Sequence, residues 1–303
     1  METNDKNNTA QNSNLKASAY AMLFFASFFW GFQSVPLKFL LAEWSAQTIV
    51  CVRYFLLSSI LFVWLYHKEG TIIPPKAAWK ILLAMGVILV LNTVMQTVGV
   101  KYTTITNATL ISATNPVNTA VLSFFLLKER IRPWGWFGIL MSFSGVLTVV
   151  SNGNFDIIAN ARFGYGDVVS YIGVLFWGFY AILAPRAMKY VSAELTTAWT
   201  GFAAAWLVLF FDFYAGQINV VPLTFTGIFC FLFSLICGGL LANIFFAKGV
   251  NMVGPTIASQ FGNILPLVGI VSGYFIMGDE LTTAKIIGAI LVLTGVRITI
   301  KMK

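Results

Sequence analysis

The sequence predicts an all-α integral membrane protein, with ten transmembrane helices forming two inverted five-helix repeats around a central cavity. Three observations predict it. Hydrophobic residues make up 58% of the 303-residue chain and charged residues only 10%, against roughly a quarter in soluble domains. Apolar runs of about 20 residues, the length that crosses a bilayer as a helix, recur from end to end. The second half of the chain also repeats the first at a nearly constant offset. A water-soluble core cannot hide that much apolar surface, because burial saturates with size, so lipid is the second solvent.

Composition also excludes functions. The formal charge is +8, but its Lys and Arg residues sit in short loops and form no basic stripe interleaved with aromatics, so no nucleic-acid partner is expected. Cys51, Cys230 and Cys237 lie in apolar runs, and His67 is the single histidine. They read as buried thiols, with no metal site and no cofactor.

The first 16 residues are polar and predict a disordered tail. The apolar run from Ala17 has no small-residue cleavage site after it, so it reads as a first spanning helix rather than a removed signal peptide. Ten spans follow in order: Ala17 to Leu37, Ala46 to Tyr66, Ala77 to Val100, Thr103 to Leu127 and Trp134 to Val150. The second five are Asp167 to Ala187, Leu195 to Tyr214, Phe225 to Val250, Pro255 to Met277 and Thr283 to Ile300. Gly, Pro and charge mark the short loops between them, and the two repeats occupy 17–150 and 165–301. With the N-terminus in the cytoplasm, fourteen of the nineteen Lys and Arg residues fall on the cytoplasmic side, four outside, and Arg53 within a span. That asymmetry predicts cytoplasmic termini in the plasma membrane.

The repeat is explicit. "GVKYTTITNATLISATNP" from Gly99 and "GVNMVGPTIASQFGNILP" from Gly249 align at an offset of 150, matching Ala108 with Ala258 and Pro116 with Pro266. Glu129 matches Glu280 after a one-residue slip, then Gly138 matches Gly288 and Gly145 matches Gly295. "FWGF" occurs at Phe29 and again at Phe176. Five spans is an odd number, so the second repeat enters the membrane from the opposite side. Inverted repeats build many secondary transporters, with substrate sites near the midplane between the halves.

On these stretches, together with "FFWGFQSVPLK", "VRYFLLSSILF", "GILMSFSGVLTV" and "GDVVSYIGVLFWGFYAILAPR", the chain resembles an EamA-type transporter of the drug/metabolite transporter superfamily. The resemblance covers nearly all of residues 18 to 300. It implies a monomeric basket of helices around a cavity, with spans five and ten peripheral, and export or exchange of small organic molecules. It does not fix the substrate.

Candidate site residues follow from polarity placed where lipid would reject it. On a helical wheel, Asn107, Ser112, Asn115, Asn118, Thr119 and Ser123 of span four fall within about 160°. Pro116 lacks an N–H and deprives the Ser112 carbonyl of its helical partner, as Pro266 does for Gly262. The freed carbonyls and kinks read either as substrate contacts or as hinges satisfied by neighbouring helices. Asn92 and Gln96 share a face of span three, and Asn243, Gln260 and Asn263 are the amides of the second half. They serve as cavity lining or as interhelical ties. Trp30, Gln33, Trp177 and Tyr180 come from the two "FWGF" stretches, and the indoles of Trp30 and Trp177 offer rings for an apolar, planar or cationic group, or for packing.

Arg53 lies about 10 Å along its helix at 1.5 Å per residue. It is either an anion contact or a structural residue snorkelling to the interface. Of the eleven carboxylates all but Asp212 lie in tails, loops or span ends, so facilitated export or exchange is expected rather than proton coupling through a buried acid. Glu129 is expected in an ion-pair belt with Lys128, Arg130 and Arg132 that biases gating, and Glu280 with Lys285. The expected function is therefore a permease for small polar metabolites, amino acids first, working by alternating access. Import of a nutrient, or movement of a larger polar or lipid-linked molecule, is the alternative. An integral membrane enzyme would need a nucleophile, an acid–base pair or metal ligands at one face, which one histidine and unclustered acids do not supply. A receptor or scaffold needs no repeated polar seam.

Overall fold

The computed structural model describes residues 2–103, 105–162, 164–215, 220–278 and 280–301. Among the described residues there is no strand, and ten helices are long and apolar enough to cross a membrane. These are span one, Leu15–Leu40; two, Ala46–Glu69; three, Lys76–Gln96; four, Leu110–Leu127; five, Pro133–Val150; six, Tyr165–Ala187; seven, Ala193–Phe211; eight, Phe225–Val253; nine, Pro255–Ile276; and ten, Thr283–Lys301. The helix of span one is continuous from Glu2 to Phe32. Its backbone thus carries helix back through the polar tail, where the sequence predicts disorder. Once a membrane-anchored helix is nucleated, propagation into a stretch without Gly or Pro costs little.

Local chemistry sets the ends. Ser45 caps span two by accepting the Thr48 N–H at 3.1 Å, and Thr224 caps span eight through the Gly227 N–H at 3.1 Å. Pro133 and Pro255 open spans five and nine, where the missing N–H has no helical partner to lose. Spans eight and nine are joined by Gly254 alone, at φ 85°, a conformation that excludes most side chains.

Ten spans return the chain to the face it left. That terminal face holds the start of span one and the end of span ten; the opposite face is termed distal. Span three packs along six, one along eight, two against seven, and five against ten. Every one of these pairings joins the two repeats and obeys their pseudo-twofold relation. Close approach rests on small residues, since lipid supplies no hydrophobic force between helices. A Cβ on Gly145 would lie 2.7 Å from the Gly288 carbonyl oxygen, and one on Gly295 2.6 Å from that of Gly138. The matched glycines of spans five and ten therefore interlock.

Spans four and nine are not continuous α-helices. Span four breaks at Thr114, between Ile105–Ala113 and Asn115–Leu127. The Thr114 N–H and hydroxyl both donate to the Ile111 carbonyl, at 3.0 and 2.6 Å. Span nine runs as α-helix Pro255–Gln260, a 3-10 turn Phe261–Ile264, α-helix Leu265–Ser272 and a wide π turn Gly273–Met277. The 3-10 turn corrects one expectation: the Gly262 carbonyl is not left free by Pro266 but accepts the Leu265 N–H, because tightening to an i→i+3 bond recovers the partner that proline removes. Span eight contains a further π segment, Ser234–Leu241, with no mark in the sequence.

Candidate functional site

The breaks in spans four and nine face each other across a cavity of about 910 Å³ walled by both repeats. That volume suits a small organic molecule. Ser112, Ala113, Asn115 and Pro116 line it from span four, and their repeat mates Gly262, Asn263, Leu265 and Pro266 line it from span nine. The two amides are not mates, since Asn115 matches Leu265 and Asn263 matches Ala113. As a result the first repeat supplies most of the polar wall, Asn92, Gln96, Ser112 and Asn115. Trp177, Val174 and Phe246 of the second repeat, with Trp30, supply an apolar and aromatic wall. Among the described residues, none that lines it is ionisable.

The aromatic wall is built by ring contacts. The Trp30 and Trp177 centroids are 5.6 Å apart at 78°, and each lies within 5.4 Å of Phe246. Trp177 stacks on Tyr180 at 5.6 Å and 18°. The Trp30 indole N–H donates to the Gly238 carbonyl at 2.9 Å, using an acceptor in the π segment of span eight. Frameworks of this kind hold rings rigid enough to contact a ligand without reorganising.

The amides act as ties as well as lining. Asn92 donates to the Gly173 carbonyl at 2.9 Å, joining spans three and six. Asn263 donates to the Ser142 hydroxyl at 2.7 Å, joining spans nine and five. Asn115 accepts from the Thr119 hydroxyl at 3.3 Å, within its own helix.

Trp30, Asn92, Gln96, Ser112, Asn115, Pro116, Trp177, Asn263 and Pro266 thus line the cavity, while five expected lining residues stand elsewhere. Gln33 packs against Gly238. Asn118 bonds Thr114 at 3.0 Å and accepts the Tyr171 hydroxyl at 3.1 Å, because the break at Thr114 rotates it toward span six. Tyr180 is behind Trp177, with its hydroxyl 3.4 Å from that of Thr200. Asn243 donates to the Gly239 carbonyl at 2.6 Å, an acceptor in the π segment. Gln260 is wholly buried and turned away from the cavity, between Ser259 and Gly262, which line it. Of the remaining wheel residues, Asn107 bonds the Arg162 carbonyl at 3.1 Å.

Arg53 does not line the cavity; its Nη1 donates to the Ser234 hydroxyl at 3.3 Å and its guanidinium lies 5.5 Å from the Tyr54 ring centre. The expected ion-pair belts take another form. The Glu129 carboxylate accepts from the Thr256 hydroxyl at 2.8 Å. Lys285 reaches the Glu280 main-chain carbonyl at 2.6 Å rather than its carboxylate. The ion pair among the described residues joins Lys248 to Glu194 at 2.6 Å, from the ends of spans eight and seven that meet at the terminal face. Asp279 and the Asp212 side chain lie outside the described residues. Among the described residues no group of three or more His, Cys, Asp or Glu is placed to hold a metal.

Sequence reasoning missed Ser27, Val174 and Phe246. The first two were findable: each stands one turn before the tryptophan of its "FWGF" stretch and they are repeat mates. Phe246 carries no signal, since an apolar residue in a membrane helix looks the same whether it faces lipid or cavity.

The cavity has a direction. Asn115–Leu127 packs on Pro255–Gln260 toward the terminal face, whereas Ile105–Ala113 packs on spans five and six, and Leu265–Ser272 on span one. The half-helices part toward the distal face, where the lining reaches Leu37 and Ala108, each within one turn of its helix end.

The family described as EamA-like transporter matches this chain over residues 17–151 and 164–301. YyaM of Bacillus subtilis, an uncharacterized transporter, is 28% identical over 285 residues, covering 91% of this chain and 92% of its own. An uncharacterized transporter of Archaeoglobus fulgidus is 23% identical over 288 residues, covering 94% of this chain and 98% of its own. A solved crystal structure shares the fold at TM-score 0.77 and 16% identity, over 94% of this chain and 98% of that one.

Proposed function

Because the chain belongs to the EamA-like transporter family, we propose that this multi-pass membrane protein is a secondary transporter that moves small metabolites by alternating access between its two repeats. The observation that carries the proposal is one cavity lined by matched residues of spans four and nine, closed toward the terminal face and extended toward the distal one. Inverted repeats give such a cavity a second form, in which each half takes the other's conformation.

The cargo is a small molecule with a hydrogen-bonding head and an apolar body, carrying no net charge. A wall with no ionisable group among its described residues offers a net-charged cargo no counter-charge there, and burying an unpaired charge is costly. Amides and the hydroxyls of Ser27, Ser112 and Ser259 supply donors and acceptors for the head, while Trp30, Trp177 and Phe246 receive the body. Neutral amino acids fit this description first. The excess of Lys and Arg at the terminal face puts that face in the cytoplasm, so the cavity opens outward across the plasma membrane, and the transporter works as a monomer in export or exchange.

The test is counterflow in proteoliposomes, with purified protein screened against amino acids, purines, sugars and quaternary amines. Saturable exchange of neutral amino acids is expected, and competition only from net-charged solutes would overturn the cargo class.

A further inference from the structure

Where the cavity narrows toward the terminal face, spans four and nine close into a seam containing unusual polarity. Gln260 is wholly buried, and neither its Nε2 nor its Oε1 has a hydrogen-bond partner; the hydroxyl of Ser123, also wholly buried, has none either. The half-helices that carry them, Pro255–Gln260 and Asn115–Leu127, pack against each other. Thr256, four residues before Gln260 and so on the same face, makes the bond to Glu129 that closes the end of the seam. An unpartnered amide is among the costliest groups to hold in a membrane interior.

The repeat shows that packing does not require it. The mate of Gln260 is Leu110, itself a buried residue at the mirrored depth in span four, toward the distal face, and the mate of Ser123 is Gly273. An apolar side chain of similar volume therefore fills the equivalent place in the other half. Polarity present in only one half, and unsatisfied while the seam is closed, belongs to the state in which the seam is open.

Resting on the transport reading above, we infer that Gln260, with Ser123, forms a second binding station in the seam at the terminal-face end of the cavity. It takes the uncharged or zwitterionic hydrogen-bonding head of the cargo once the seam parts. One amide presents both donors and an acceptor, which matches a head carrying both. The distal path, with Leu110 and Gly273 in these places, has no such station, so cargo meets it on one side only. The unsatisfied amide also raises the free energy of the closed seam and so favours opening.

The test uses the full-length chain with Cys51, Cys230 and Cys237 replaced by serine, and Ser123→Cys as a reporter labelled from the terminal face by a membrane-impermeant maleimide. Gln260→Leu, which installs the repeat mate's residue, is expected to slow labelling about tenfold and to raise the melting temperature by about 2 °C. Counterflow of radiolabelled neutral amino acids, measured with Ser123 and the native cysteines in place, is expected to slow for Gln260→Leu. Gln260→Met is expected to act in the same direction. A lower melting temperature in both variants, or labelling as fast as in the parent, would show Gln260 to be a packing residue and overturn the inference. Absence of flux in the chain with Ser123 and the native cysteines in place counts against the transport reading alone, because labelling and melting need no cargo.

Discussion

The Thr256 hydroxyl donates to the Glu129 carboxylate across 2.8 Å, tying the first turn of span nine to the residue just beyond span four. It is the closure nearest the terminal face on this seam, and it crosses between the repeats. A hydrogen bond to a charged group contributes about 1.5–3 kcal/mol. Glu129→Gln keeps the shape and removes the charge, so the open population should rise about tenfold. Spin labels at the exposed Arg130 and Met252 should then report longer distances; an unchanged distribution would dismiss the bond as a latch.

Trp30 has two separable roles. Trp30→Phe keeps a ring against Trp177 and Phe246 but strands the Gly238 carbonyl, at a cost of about 1–3 kcal/mol. Trp30→Ala removes the ring as well. Thermal unfolding should register both variants, whereas apparent affinity in counterflow should fall at least about tenfold only for the alanine. Equal affinity loss in both would assign the effect to the indole N–H.

The two amides at the breaks should differ in kind. Asn263→Ala leaves the buried Ser142 hydroxyl without its partner, so a stability loss of about 1–3 kcal/mol is expected. Asn115→Ala breaks only a contact within its own helix and should unfold near the parent temperature. Both should slow flux and the double variant abolish it, with the fold checked by size-exclusion chromatography.

At the distal face, Glu43 accepts from the Thr224 hydroxyl at 2.6 Å and from its N–H at 2.8 Å. These bonds, the hydroxyl first, lower the carboxyl pKa below its ordinary value of 4.5. A carboxylate with a depressed folded pKa stabilises fully above the unfolded value and loses that contribution as pH falls through the folded one. Unfolding followed from pH 7 downward should therefore show a loss beginning below about pH 5. Glu43→Gln should flatten that part of the profile; an identical slope would refute the tether.

Gly295 tests the interlock of spans five and ten. A Cβ there would meet the Ser142 nitrogen at 2.5 Å and the Gly138 carbonyl oxygen at 2.6 Å, both backbone. Gly295→Ala should cost about 1–3 kcal/mol through overpacking. Because neither Gly295 nor Gly138 lines the cavity, apparent affinity should hold in counterflow while melting falls.

The ten spans and the repeat were legible in the sequence because both are local. Lipid forces each crossing backbone to satisfy itself as a helix, so an apolar run of sufficient length is a span wherever it occurs. The proline pair, the tryptophan pair and the glycine faces were legible for the same reason, as matched positions 147 or 150 residues apart. What a polar side chain faces was not, because that depends on how one helix is rotated against another, and the rotation is set by packing across the repeats. The break at Thr114 turned Asn118 away from the cavity and left Asn115 in it. The π segment of span eight offered carbonyls that captured Trp30 and Asn243. Only tertiary structure separated Asn263, which lines the cavity, from Gln260 three residues away, which lies shut in the seam.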